Sequence, residues 1–195
     1  GLSTTDTAVR VLTAAMNAYN MKTGAEAQQI MDVLFKTVDR GVVSFEELAT
    51  SLGPVIGTAA AAGVSIEEVG AAIMTMTKRG NDAAISTTAL NRILTTFLNP
   101  SKELAAALQQ AGYSSGAALL KTKGLAGAME FLTQATGGST EQLVSMLGEM
   151  RSVRAGLALT GTGAQMFAED LKAVGEAGGS TMRALSQQSQ GFAFR

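Results

Sequence analysis

Apolar residues recur every three or four positions along this chain, which is the spacing of one face of a helix. Val9, Leu12, Met16 and Tyr19 share such a face and predict a helix that starts near Thr5. Ile30, Val33, Leu34 and Val38 form a second stripe. It opens at Thr23-Gly-Ala-Glu26, where hydroxyl and carboxylate can each satisfy a free amide of the other, and Gly41 closes it. A third helix is expected from about Phe45 towards Gly63. It should kink or break at Gly53-Pro54, because proline lacks an amide hydrogen and its ring collides with the preceding turn. Helices over about Ile66–Lys78 and Ala83–Leu98 follow, the second carrying Leu90, Ile93, Leu94 and Phe97 on one side. Pro100 suits the first turn of another helix, which ends at Gly112. Residues 113–127 are Gly/Ser-rich and show no clear period, whereas 129–132 look helical. Ser139-Thr-Glu-Gln142 is a further capping box, opening a helix with Leu143, Met146, Leu147 and Met150 on one face. After Gly161-Thr-Gly163, a last helix covers roughly 164–174.

Gly41-Val42-Val43 is the one β-branched cluster, and it is too short to found a sheet. The expected fold class is therefore all-α: a compact bundle of about eight or nine short helices broken by Gly and Pro turns. It should occupy residues 1–175. The stretch 176–195 is small and polar and reads as a linker or frayed C-terminal segment. At 195 residues the chain can bury a core without disulfide or metal staples.

Composition narrows the chemistry. Fifteen basic and sixteen acidic residues nearly cancel, and they are scattered, which argues against sequence-specific nucleic-acid binding. Charged residues make up 16% of the chain against ~25% in ordinary soluble domains, and glycine is frequent, at 22 residues. The absence of cysteine removes thiolate chemistry. The absence of histidine removes imidazole catalysis and the usual zinc sites. With no tryptophan and two tyrosines, base or sugar stacking platforms are not expected. The longest uncharged apolar stretch, 52–66, falls short of the ~20 residues a bilayer span needs. No signal peptide is visible, and a start at Gly1 suggests a piece of a longer protein.

Two pairs of carboxylates invite a catalytic reading: Ser44-Phe-Glu-Glu-Leu48 and Ser65-Ile-Glu-Glu-Val69. As helix starts they explain themselves. Ser44 and Ser65 are N-caps, Glu47 and Glu68 reach back to them, and Val43/Leu48 and Val64/Val69 staple the entry. Acids in the first turn also favour the helix dipole and are held ionised, whereas a catalytic pair needs a cleft and a raised pKa. Gly161-Thr-Gly163 has no strand before it, and Lys121-Thr122 follows leucine where a phosphate loop needs glycine. Gly53/Gly57 and Gly112/Gly116 have the spacing of close helix contacts, but in such a chain turn chemistry or chance accounts for it more readily. The ten methionines, Met74 and Met76 among them, read as adaptable core filler. No catalytic, cofactor-binding or metal-ligating residue is assigned, and no cofactor is expected.

The order of these features resembles the core region of phage tail tape measure proteins. The matching elements are the helix with Asp32; Ser44 to Leu48, Gly53-Pro54, the Ala-rich 59–62 and Gly63 to Glu68; Thr88 to Leu94; Pro100 to Gly112; and Ser152-Val-Arg-Ala-Gly-Leu-Ala-Leu159. The likeness covers roughly 5–175. Asn81-Asp82 and Ser145-Met-Leu-Gly148 depart from the family pattern. The resemblance implies a structural virion or prophage protein, not an enzyme. It would reside in the tail lumen, and in the host cytoplasm during assembly, where it governs tail length before release at genome ejection. It implies as partners the tube, tail assembly chaperones and tail tip, with further copies of the chain and the host membrane at infection as additional contacts. The alternative is a membrane-active or self-associating helical module that assists genome delivery. A continuous helix of this length would reach about 290 Å, but the glycines, prolines and caps interrupt any such rod. The segment is expected to fold compactly, leaving the measuring role to flanking sequence.

Overall fold

The computed structural model describes residues 4–147 and 150–179. Among them the chain forms eleven α-helices and no strand. Helices α1 (Thr4–Ala18), α2 (Gly24–Arg40), α3 (Phe45–Ser51) and α4 (Gly53–Ala62) lead to α5 (Ile66–Lys78) and α6 (Ala83–Leu98). Then come α7 (Lys102–Gln110), α8 (Gly116–Ala135), α9 (Thr140–Leu147), α10 (Met150–Leu157) and α11 (Thr162–Gly175). The all-α class is as expected, but eight or nine helices is too few. The helix foreseen from Phe45 to Gly63 is two, divided at Leu52, and α10 lies where the sequence showed no separate period. Leu52 keeps helical angles, and its carbonyl accepts the amides of Val55 and Ile56, so it ends α3 and starts α4. Pro54 thus sits in the first turn of α4, where a missing amide hydrogen costs nothing.

Helix α5 is the centre of the bundle. Ile66 and every residue from Val69 to Thr77 are buried, while Glu67, Glu68 and Lys78 keep partial access to solvent. A helix covered on all faces must be apolar or small all round, and Val-Gly-Ala-Ala-Ile-Met-Thr-Met satisfies this. Helices α2, α4, α6 and α11 pack around it. Gly70 lets α2 come close: a Cβ there would lie 2.7 Å from Thr37 Oγ1 and 2.9 Å from a Val33 methyl. Two threonines in this core turn their hydroxyls to their own helix, Thr37 to the Val33 carbonyl (2.8 Å) and Thr77 to that of Met74 (3.0 Å). Met74, Met76 and Met129 are buried as core filler.

Three expectations need correction. Val9 is 57% exposed, and the face of α1 that enters the core carries Val11 and Ala15, with Leu12, Met16 and Tyr19 at its flank. Two interleaved apolar stripes run along α1, and packing on α2, α3 and α4 selects the other one. Pro100 precedes its helix rather than opening it, because Ser101 takes the cap and its hydroxyl accepts the Leu104 amide at 3.3 Å. Residues 113–127 are largely helical: Ser115 caps α8, and Gly116 fits where any Cβ would meet the Phe97 carbonyl. Gly53 and Gly57 make no close contact, in keeping with turn chemistry or chance: a Cβ built on either would meet nothing within 4 Å.

Past α11 the chain stays attached over residues 176–179. Ala177 is buried, and the Gly179 amide donates to Asp32 Oδ2 at 2.7 Å. The remainder of the segment read as a linker or frayed end, 180–195, lies outside the described residues.

Candidate functional site

The paired acids are the strongest sequence candidates, and the structure shows what each one does. In the first pair the Ser44 hydroxyl accepts the Glu47 amide at 3.2 Å. Glu47 Oε2 in return takes the Ser44 amide (2.9 Å) and hydroxyl (2.7 Å). The Ser44 hydroxyl first, and its amide second, hold the Glu47 carboxyl below its ordinary range. Thr23 and Glu26 repeat the device at the start of α2, and the amides of Lys22 and Thr23 lower the Glu26 pKa in the same way. These carboxylates are acceptors fixed in their ionised form, the opposite of a general acid.

The second pair carries the same box but sits deeper. The Ser65 amide donates to Glu68 Oε2 at 3.1 Å, and the Ser65 hydroxyl accepts the Glu68 amide at 3.2 Å. Glu68 Oε1 then receives the Leu125 amide of α8 at 2.7 Å, and Glu67 Oε1 receives Gln29 Nε2 of α2 at 2.5 Å. One residue before the cap, the Val64 carbonyl accepts the Tyr19 hydroxyl at 3.0 Å, just beyond the end of α1. Burial pushes the Tyr19 phenol well above its ordinary pKa, and the charges of Glu67 and then Glu68 push it further. Contacts from α1, α2 and α8 therefore converge on the first turn of α5. The amphipathic stripe that placed Tyr19 near the core was the one sequence hint, since a buried phenol needs a partner.

At the far end of α5, Asp170 of α11 is ion-paired with Lys78 and accepts the Thr75 hydroxyl at 2.8 Å. Asp170 is 4% exposed and Lys78 26%. A hydroxyl, a carboxylate and an ammonium so close together have the ingredients of an activated nucleophile, but Thr75 is fully buried and no substrate can reach it. Among the described residues no three His, Cys, Asp or Glu side chains come together to hold a metal ion. The surface depressions are shallow. One of about 500 Å³ lies beside Glu46, Glu47 and Asp82 at the starts of α3 and α6. Another, of about 310 Å³, lies between α2 and the residues after α11, beside Gln28, Gln29 and Asp32. What the geometry builds is a set of polar clamps that tie helices to both ends of α5.

Comparison with known proteins agrees with a structural role. The family model described as phage-related minor tail protein matches residues 1–150. The chain belongs to this family. Among curated relatives, a "Probable tape measure protein" of Clostridium phage phiCD119 is 28% identical over 181 residues. The alignment takes in 89% of this chain and 19% of that relative, so the chain spans about a fifth of the curated relative's length. No solved structure matches the chain significantly. In this minor tail protein the matched region runs from α1 through α9, and so includes both glutamate pairs and α5 but not α11. Among the described residues no helix is long and apolar enough to cross a membrane.

Proposed function

We propose that the chain is a folded structural module of a tape measure protein. It does no catalysis, it lies in the tail lumen of the virion, and the tail-length measurement is carried by sequence flanking it. Family membership supports the tail context. The observation that carries the rest is the burial of α5 beneath α2, α4, α6 and α11. A ruler has to add length in proportion to residues, whereas this stretch breaks its path at every junction from α1 to α6 and packs those helices on one another. Tube, tip and chaperone proteins of the tail are its partners in this reading. The described surface disfavours a membrane-active module: its exposed large apolar side chains, Val9, Val42 and Met150, lie on three separate segments.

The test is an in-frame deletion of 5–175 from the parent protein, with tail length measured by electron microscopy. The expected shortening is far below the ~257 Å that 171 residues of helix would contribute. Shortening by that full amount would refute the proposal.

A further inference from the structure

Helix α8 is two half-helices joined at one residue. Gly124 departs from helical backbone, at φ 66° and ψ −177°, a region that residues with a Cβ essentially avoid. No proline stands within the segment and Ser115 caps its start, so nothing local forbids a straight helix through residue 124. The reason for the bend lies in what the two halves bury. The first half buries Gly116, Leu119 and Leu120, and the second buries Leu125, Ala128, Met129 and Leu132. At about 100° per residue, these two stripes would point about 180° apart on a straight rod. A straight α8 cannot press both into one core, and the bend reconciles them.

The bend also directs the Leu125 amide to Glu68 Oε1, at 2.7 Å. The two glutamate boxes isolate this extra role. Glu47 spends one oxygen, Oε2, on both Ser44 groups. Glu68 closes its box with Oε2 and gives Oε1 to α8, capping the second half-helix from another element. The fit is close, since a Cβ on residue 124 would lie 2.6 Å from that oxygen.

We propose that Glu68 and Gly124 form a latch on a two-state helix. With the carboxylate on the Leu125 amide, α8 is held bent and both apolar stripes are covered. With the carboxylate withdrawn, a fraction of the molecules straighten α8 into one continuous helix and turn one stripe outwards, while the remaining helices keep their packing. The module thereby holds a concealed apolar face, kept covered by the burial of both stripes together with this hydrogen bond.

The chain has no cysteine, so spin labels placed by substitution at the exposed Ser114 and Gln134 read the bend directly in the full chain. A straight helix from the Ser115 cap to Gln134 would span about 29 Å, with Ser114 one residue before it. The unaltered latch should give a single shorter distance. Gly124→Ala should move the distribution to the straight-helix value, and Glu68→Ala should add a longer component. Glu47→Ala, which breaks the equivalent box on α3, should leave it unchanged. Circular dichroism should show helix content retained throughout. A folded Gly124→Ala chain with the original distance overturns the proposal, as does a Glu47→Ala chain that shifts as far as Glu68→Ala. If one latch variant loses its fold, the distance in the other decides; loss of fold in both overturns the idea that the rest of the bundle is independent of the latch.

Discussion

Removing Lys78 should damage the fold more than removing its partner Asp170, although the two share one contact. Lys78→Ala leaves a carboxylate that is 4% exposed with the Thr75 hydroxyl as its remaining partner at that contact. Breaking a buried pair from one side costs about 3–5 kcal/mol, and the 26% exposure of Lys78 places this case near 3, because some water already reaches the pair. Asp170→Ala has gentler consequences. The ammonium can turn to solvent, and the Thr75 hydroxyl can swing to a carbonyl of its own helix, as Thr37 and Thr87 do. That leaves a cost of about 1–2 kcal/mol for the lost hydrogen bonds. Replacing both with apolar residues of similar volume, Lys78→Met with Asp170→Leu, should cost less than Lys78→Ala alone. Urea unfolding followed by circular dichroism measures all three, provided the slope stays constant and the midpoint moves. A Lys78→Ala cost below about 1 kcal/mol, or below that of Asp170→Ala, would refute the account of Asp170 as a buried charge dependent on Lys78.

Two further outcomes follow from the packing. Tyr19 ionises with difficulty in the folded chain, so above about pH 10 the unfolded chain loses its phenolic proton while the folded one keeps it, and stability falls as pH rises there. Tyr19→Phe should cost about 1 kcal/mol at neutral pH and should not share that alkaline loss; stability profiles that run parallel above pH ~10 would contradict this. Gly→Ala should act with opposite signs at two helical positions. Gly57 has open space and its replacement should gain up to ~1 kcal/mol, whereas Gly70 lies against Thr37 and Val33 and its replacement should lose about 1–3 kcal/mol. Denaturation midpoints moving in the same direction for both would be inconsistent with the close approach of α2 to α5.

Much of this architecture is legible in single residues. The bounds of α5 and α6 follow from a cap, an apolar run and a glycine or asparagine at the end, all near one another in the chain. The three capping boxes at Thr23, Ser44 and Ser65 follow for the same reason: every atom they need is local. What the sequence hid are contacts between residues far apart in the chain. Glu68 looks identical to Glu47 until α8 arrives with an unpaired amide, and Lys78 and Asp170 are 92 residues apart. Helix α8 is hidden because its two buried stripes cancel any single period, and α10 because Gly156 looks like a breaker. In place, Gly156 is what lets α10 approach Ile93 of α6. Val9 misled because α1 offers two apolar faces and local spacing cannot rank them.

The position of α5 also sets a schedule for synthesis. Its last residue is Lys78, but α11, which covers one of its sides, ends at Gly175. A ribosome adding about 5–20 residues per second needs roughly 5–20 s to bridge that interval. Throughout it, the most deeply buried helix of the module waits with one flank bare, so the nascent chain presents an adhesive surface that its own C-terminal third later seals.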